Sequence, residues 1–97
     1  MIRHTVVFKL KYLQGSPEEK QFLGVALKLS SISGIHYFEC LRQTSRKNNF
    51  QYGISMEFDT LKAYEEYNQH PDHVAFVKTF WMRDVEDFME IDYEPIN

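Results

Sequence analysis

Tyr67, His70, Pro71, Asp72 and His73 fall within one short stretch, YNQHPDH. A phenol and two imidazoles are gathered there, and these side chains donate, accept or move protons near neutral pH. A histidine beside a tyrosine makes a general acid–base pair. The imidazole takes the proton and the phenol donates a hydrogen bond to an oxyanion. For reactions next to a carbonyl this is sufficient without a metal. Pro71 disfavours helical geometry at His70 and suits the first position of a new helix, so the chain breaks inside the cluster. At such a break His70 has a plainer role as a helix cap, and Asp72 as a first-turn acid favoured by the helix dipole. A metal reading competes, with His70 and His73 at i, i+3 and His4 as third ligand. Against it, Pro71 sets His70 outside the helix, and no carboxylate or cysteine completes the set.

The elements that must position these groups are legible from periodicity. Residues 2–11, IRHTVVFKLK, alternate, with Ile2, His4, Val6, Phe8 and Leu10 on one face. His4 therefore points with the apolar side chains, where a histidine is either a satisfied core group or a member of a site. Ser16-Pro17-Glu18-Glu19 starts a helix as cap, first position and capping box. Phe22, Leu23, Ala26, Leu27, Leu29 and Ile32 give its apolar stripe, and Ser33-Gly34 ends it. Residues 35–43 and 50–58 predict a hairpin around a polar turn, with Gly53 marking a bulge or a close backbone approach. Helices are expected over 60–69 and 71–82, the latter with Val74, Val77, Phe80 and Trp81 inward. A last strand is expected over 87–93, with Met89, Ile91 and Tyr93 on one face. The order β-α-β-β-α-α-β predicts an α+β domain over residues 1–97, with helices on one face of a mostly antiparallel sheet. The other face, carrying Thr5 and Val7, is left bare. A bare apolar sheet face predicts a homodimer.

Composition narrows the function classes. The 97 residues are 43% hydrophobic and 26% charged, an ordinary globular balance. The net charge is -3. Arg42, Arg46 and Lys47 are the only basic cluster, so no nucleic-acid footprint is visible. No apolar run reaches the ~18 residues of a membrane helix, and no basic amphipathic helix suggests a membrane surface. Cys40 is the only cysteine. It excludes an internal disulfide and reads as a core or interface residue. With no signal-peptide pattern after Met1, a cytoplasmic location is expected. Eight Phe, six Tyr and one Trp fill a core or interface, or line a pocket for a small apolar ligand.

Taken together, IRHTVVFKLK with its strand histidine, the SPEEK helix opening, the SISGI turn, Y-x-x-H-P-x-H at Tyr67 to His73 and the ending IDYEP resemble the stress-responsive dimeric A/B barrel (Dabb) family over essentially the whole chain. The resemblance implies a ferredoxin-like fold whose four-stranded antiparallel sheet pairs with a second copy into a dimeric α/β barrel. The family includes olivetolic acid cyclase, an aldol-type cyclase with a His and a Tyr in a pocket between helices and sheet. By motif position those two correspond to His73 and Tyr67, with His4 as a further pocket histidine. The resemblance also implies a magnesium ion held by backbone carbonyls at Leu29, Ile32 and Ile35, although Ser33 replaces the usual proline of that turn. Cofactor-free monooxygenases share the barrel, which by itself warrants little.

Two functions remain open at this level. One is a cofactor-free cyclase, lyase or isomerase for an apolar carbonyl compound, with His73 as base, Tyr67 as oxyanion donor and His4 as orienting partner. The other is a non-enzymatic stress-protective or ligand-binding module in which the His–Tyr set is a structural network.

Overall fold

The alternating pattern of the first residues becomes β1 (Ile2–Leu10), whose His4, Val6, Phe8 and Leu10 are all buried. The computed structural model describes Met1–Asn97 throughout. β1 lies between β3 (Tyr52–Phe58) and β4 (Val85–Tyr93), and β2 (His36–Arg42) completes an antiparallel sheet of order β2-β3-β1-β4. Three helices cover one face: α1 (Pro17–Leu27), α2 (Leu61–Gln69) and α3 (Pro71–Phe76). This is a ferredoxin-like α+β arrangement.

Local chemistry explains the helix starts. The Ser16 hydroxyl accepts the Glu19 N–H at 3.2 Å, Pro17 occupies the first turn, and Glu19 Oε1 accepts the Gly15 N–H at 2.9 Å. Thr60 caps α2 by accepting the Ala63 N–H at 3.1 Å. Gly34, at φ +93°, supplies the left-handed turn that sends the chain from α1 into the sheet. Phe8, Phe22 and Phe58 are fully buried between the layers. Truncating any of them to Ala removes about 3–5 kcal/mol.

Three expectations are corrected. Leu27 does not join the α1 stripe; it is half exposed, because the helix tightens into a 3-10 turn (Lys28–Ser31) that rotates Leu29 inward instead. Gly53 pairs regularly with Val7 and Leu41, and a Cβ there would make ordinary contacts. The irregularity lies in β2, between His36 and Glu39, where Tyr37 has φ 52°. The helix expected over 71–82 changes pitch: α3 passes into a π-helical turn (Val77–Trp81) and one last helical turn (Met82–Asp84). Val77, Phe80 and Trp81 still pack half-buried against the core as expected, and Phe76, just ahead of the π-helical turn, is the buried member that the spacing did not mark.

The end of this helical layer is tied to the end of β1. Asp84 is fully buried, its Oδ1 accepting from Tyr12 Oη at 2.7 Å and from Arg83 Nε at 2.7 Å. Its backbone carbonyl accepts the Lys11 N–H at 2.9 Å. On the opposite face of the sheet, Val7 pairs with Met89 and Thr5 with Ile91, beside Leu41 and Tyr93. Met89, Ile91, Tyr93 and Leu41 are left 36–53% exposed.

Candidate functional site

The α2–α3 break directs the polar cluster. The His70 N–H closes α2 on the Tyr67 carbonyl at 3.1 Å, while His70 Nδ1 accepts the Asp72 N–H at 3.1 Å. His70 is thus a cap on both sides of Pro71. The kink turns Tyr67 and His73 toward each other, with ring centroids 4.4 Å apart and planes inclined by 47°. Tyr67 also packs on Phe58, 5.3 Å between centroids.

Both residues line a cavity of about 350 Å³ between the helices and the sheet, ten of whose thirteen lining residues are hydrophobic. Val6, Ile54 and Met56 form its floor through the β1–β3 register, and Phe76, Val77 and Trp81 form much of its wall. The size lies at the small end of ligand pockets, and an apolar lining with few polar groups is their usual make-up.

His73 Nδ1 donates to the Asn68 carbonyl at 3.2 Å. That bond fixes the tautomer and leaves Nε2 with a free lone pair. Burial holds the His73 pKa below the ordinary imidazole range, against the opposing pull of the Asn68 carbonyl, so the basic form is present at pH 7. Burial, helped by the charge of Glu90, pushes the Tyr67 phenol well above its usual range. Tyr67 stays protonated, a donor whose hydroxyl is neither bonded within the chain nor sealed from open space.

His4 reaches the same cavity from the sheet side, its ring 6.3 Å from that of Tyr67. No hydrogen bond joins it to Tyr67 or His73, so the orienting contact expected from the sequence is not made. His4 Nδ1 instead lies 2.6 Å from Asp92 Oδ1 and 2.9 Å from the Tyr64 hydroxyl. Sequence reasoning missed Asp92 and Tyr64. Two signals pointed to them. Asp92 alternates with the apolar Met89, Ile91, Tyr93 face, so it points to the helices. Tyr64 lies one turn before Tyr67 on the same side of α2.

No group of three or more His, Cys, Asp or Glu side chains is placed to hold a metal ion, which removes the His4, His70, His73 ligand set. At the end of α1 the Leu29 carbonyl accepts the Ile32 N–H at 3.0 Å and keeps a second lone pair. The Ser30 and Ser31 hydroxyls turn back onto the Leu27 and Lys28 carbonyls, so this turn offers a cation neutral carbonyl oxygens only. Neutral carbonyl oxygens are a ligand type that hard cations accept, and no step of substrate chemistry follows from this turn. No helix is long and apolar enough to cross a membrane.

Known proteins share this fold. A crystal structure of a Dabb family protein with a ferredoxin-like fold from Mesorhizobium loti is 56% identical, with TM-score 0.97 over 99% of this chain and 97% of that one. A protein from Bacteroides fragilis, described as dimeric and ferredoxin-like, is 25% identical with TM-score 0.75, covering 97% of this chain and 95% of that one. Hydroxynitrile lyase from Passiflora edulis shares the fold at TM-score 0.84 and 16% identity, over 99% of this chain and 94% of that one. An uncharacterised protein of Streptomyces coelicolor is 32% identical over 97% of this chain and 99% of its own length. The profile of the stress responsive A/B barrel domain, Dabb, matches residues 2–95, and the chain belongs to that family.

Proposed function

We propose that this protein is a homodimer that binds a small apolar carbonyl compound and converts it by cofactor-free acid–base chemistry of the cyclase or lyase kind. The observation that carries the reading is the pairing of a bare imidazole Nε2 on His73 with an unbonded Tyr67 hydroxyl on the wall of one apolar cavity. His73 takes the proton α to the carbonyl, Tyr67 donates to the oxygen as charge develops there, and His4 is the third proton-active group. The lyase from Passiflora edulis supports only that such a fold can host this class of reaction.

Mass spectrometry of ligand co-purifying with the native protein tests the reading. A carbonyl compound retained by the wild type and lost from H73A or Y67F supports it. Retention in both variants overturns the site. The alternative, a binding module without turnover, is favoured by the packing of Tyr67 between Phe58 and His73. The double variant H73A/Y67F separates the two. A large drop in melting temperature favours the network, and unchanged stability with lost ligand favours the site.

The dimer rests on the apolar open face of the sheet and on neighbours described as dimeric. Light scattering at micromolar concentration is expected to give twice the chain mass, and I91K to give single chains. A cytoplasmic setting completes the reading and rests on the single Cys40. Magnesium at Leu29, Ile32 and Ile35 is a structural adjunct: adding it after chelator treatment raises the melting temperature, and no change removes it.

A further inference from the structure

His4 connects the cavity to a second opening. It faces Asp92 across the β1–β4 ladder. The Tyr64 hydroxyl donates to Asp92 Oδ2 at 2.8 Å and sits 2.9 Å from His4 Nδ1, which donates to Asp92 Oδ1 at 2.6 Å. A carboxylate on Nδ1 places the ring proton there and leaves Nε2 as the acceptor. Nε2 has no partner in the chain, yet it is not sealed from open space, and the ring forms part of the cavity wall. Asp92 and Tyr64 do not line that cavity. They line a separate surface cleft beside Leu61. The His4 side chain is 7% exposed and that of Asp92 is 40% exposed, so one hydrogen bond spans from the enclosed space to water.

We propose that His4, Asp92 and Tyr64 form a proton relay between the cavity and the outer cleft, with Asp92 as the group that exchanges with water and Tyr64 as its positioning residue. The proposal rests on the reading of the cavity as a place of proton transfer. While His73 serves the α carbon, Nε2 takes a further proton that the bound compound releases, as Nδ1 passes its own to Asp92 Oδ1 and on to water in the cleft, which leaves a neutral ring protonated on Nε2. Nδ1 then recovers a proton from water through Asp92 as the Nε2 proton is delivered to the product, so the ring is never an anion. One proton enters and one leaves on each side, so the ring returns to its starting tautomer.

The surroundings suit this role. Met56, opposite His4 on β3, brings no charge. The ionisable neighbours are Glu90 on β4, Tyr67 on α2 and His73 on α3. An inward carboxylate on an edge strand also discourages edge-to-edge pairing, and Glu90 already supplies one. The full Asp92–His4–Tyr64 triangle is more than that function needs.

The test is the exchange of the His4 ring proton with water, followed by nitrogen-15 NMR, with the His73 ring as internal control. The wild type is expected to show His4 with its proton on Nδ1. D92N keeps an oxygen to accept that proton but has no carboxylate to carry it away, so exchange should slow at least tenfold. Y64F, which frees Asp92 to rotate, should slow it severalfold, and the His73 ring should be unaffected in both. A wild-type His4 protonated only on Nε2, or equal exchange in wild type and D92N, overturns the relay. Should D92N not fold, unchanged exchange in Y64F overturns it equally. In parallel, pentane-2,4-dione serves as a carbonyl probe for solvent-deuterium uptake at its acidic carbon. Uptake that is lost in H73A shows that the cavity beside the relay is a working site. No uptake by the wild type counts against the cavity reading alone, because the ring-exchange result decides the relay independently.

Discussion

Two of the polar clusters between helices and sheet are built on opposite principles. Around Asp84 every strong group is used: both carboxylate oxygens accept from Arg83, and one also accepts from Tyr12. Around His73 and Tyr67 the reverse holds, since His73 Nε2 and the Tyr67 hydroxyl find no partner in the chain and face about 350 Å³ of apolar space. A saturated cluster spends its polar groups on holding elements together. An unsaturated one beside a cavity keeps its hydrogen-bonding capacity for a guest. Leaving such groups unpaired costs stability, and a ligand returns that cost on binding.

Mutations should therefore separate the clusters. The largest effect is expected at His73: H73A should lower turnover of a cavity-bound carbonyl substrate by about 100-fold or more, with the melting temperature little changed. A comparable loss of fold would move His73 into the structural class. Next is D84A, which frees the Tyr12 and Arg83 donors together. It should cost about 2–3 kcal/mol in denaturant melts, the half-exposed Arg83 keeping the loss below that of a fully buried pair. Ligand occupancy per folded molecule should not change. Y67F is smaller in stability, within about 0.5 kcal/mol, because the hydroxyl it deletes is bonded to nothing in the chain. Its affinity for a carbonyl ligand should fall by about tenfold, one hydrogen bond's worth.

The pH dependence is subtler and differs between the clusters. Burial lowers the His73 pKa in the folded state, so the unfolded chain binds more protons there. This contribution is complete above the ordinary imidazole pKa of about 6.5 and is lost as pH falls through the folded value. H73F should flatten stability between about pH 7 and 5. The hydrogen bond from Arg83, with that from Tyr12, holds the Asp84 carboxyl below its usual range. Its contribution is complete above about pH 4 and is lost on further acidification, so D84N should flatten only that lower window.

Much of this was readable from the chain before folding. Ser16, Pro17 and Glu19 announce α1 because capping is local chemistry. Period-two alternation placed His4 inward, and Pro71 marked the break that aims Tyr67 and His73. What failed was phase and pairing. Phe76, outside the expected stripe, is buried by packing against Phe22 and Trp81, 5.5 and 6.3 Å between ring centroids, which local spacing does not record. His4 was assigned to the Tyr67–His73 pair because no sequence rule reveals which residue stands across a ladder from it.

The sequence by itself determined the element order, the helix caps, the two faces of each strand and the residue types of the polar cluster, since each follows from chemistry within a few neighbouring positions. Only the tertiary structure decided that Asp92 sits opposite His4, that Tyr64 closes the triangle, and that Tyr67 and His73 share a cavity. Those facts depend on strand register and on how the helix layer settles over the sheet. Both are set by contacts between residues up to 88 positions apart, which local patterns do not record.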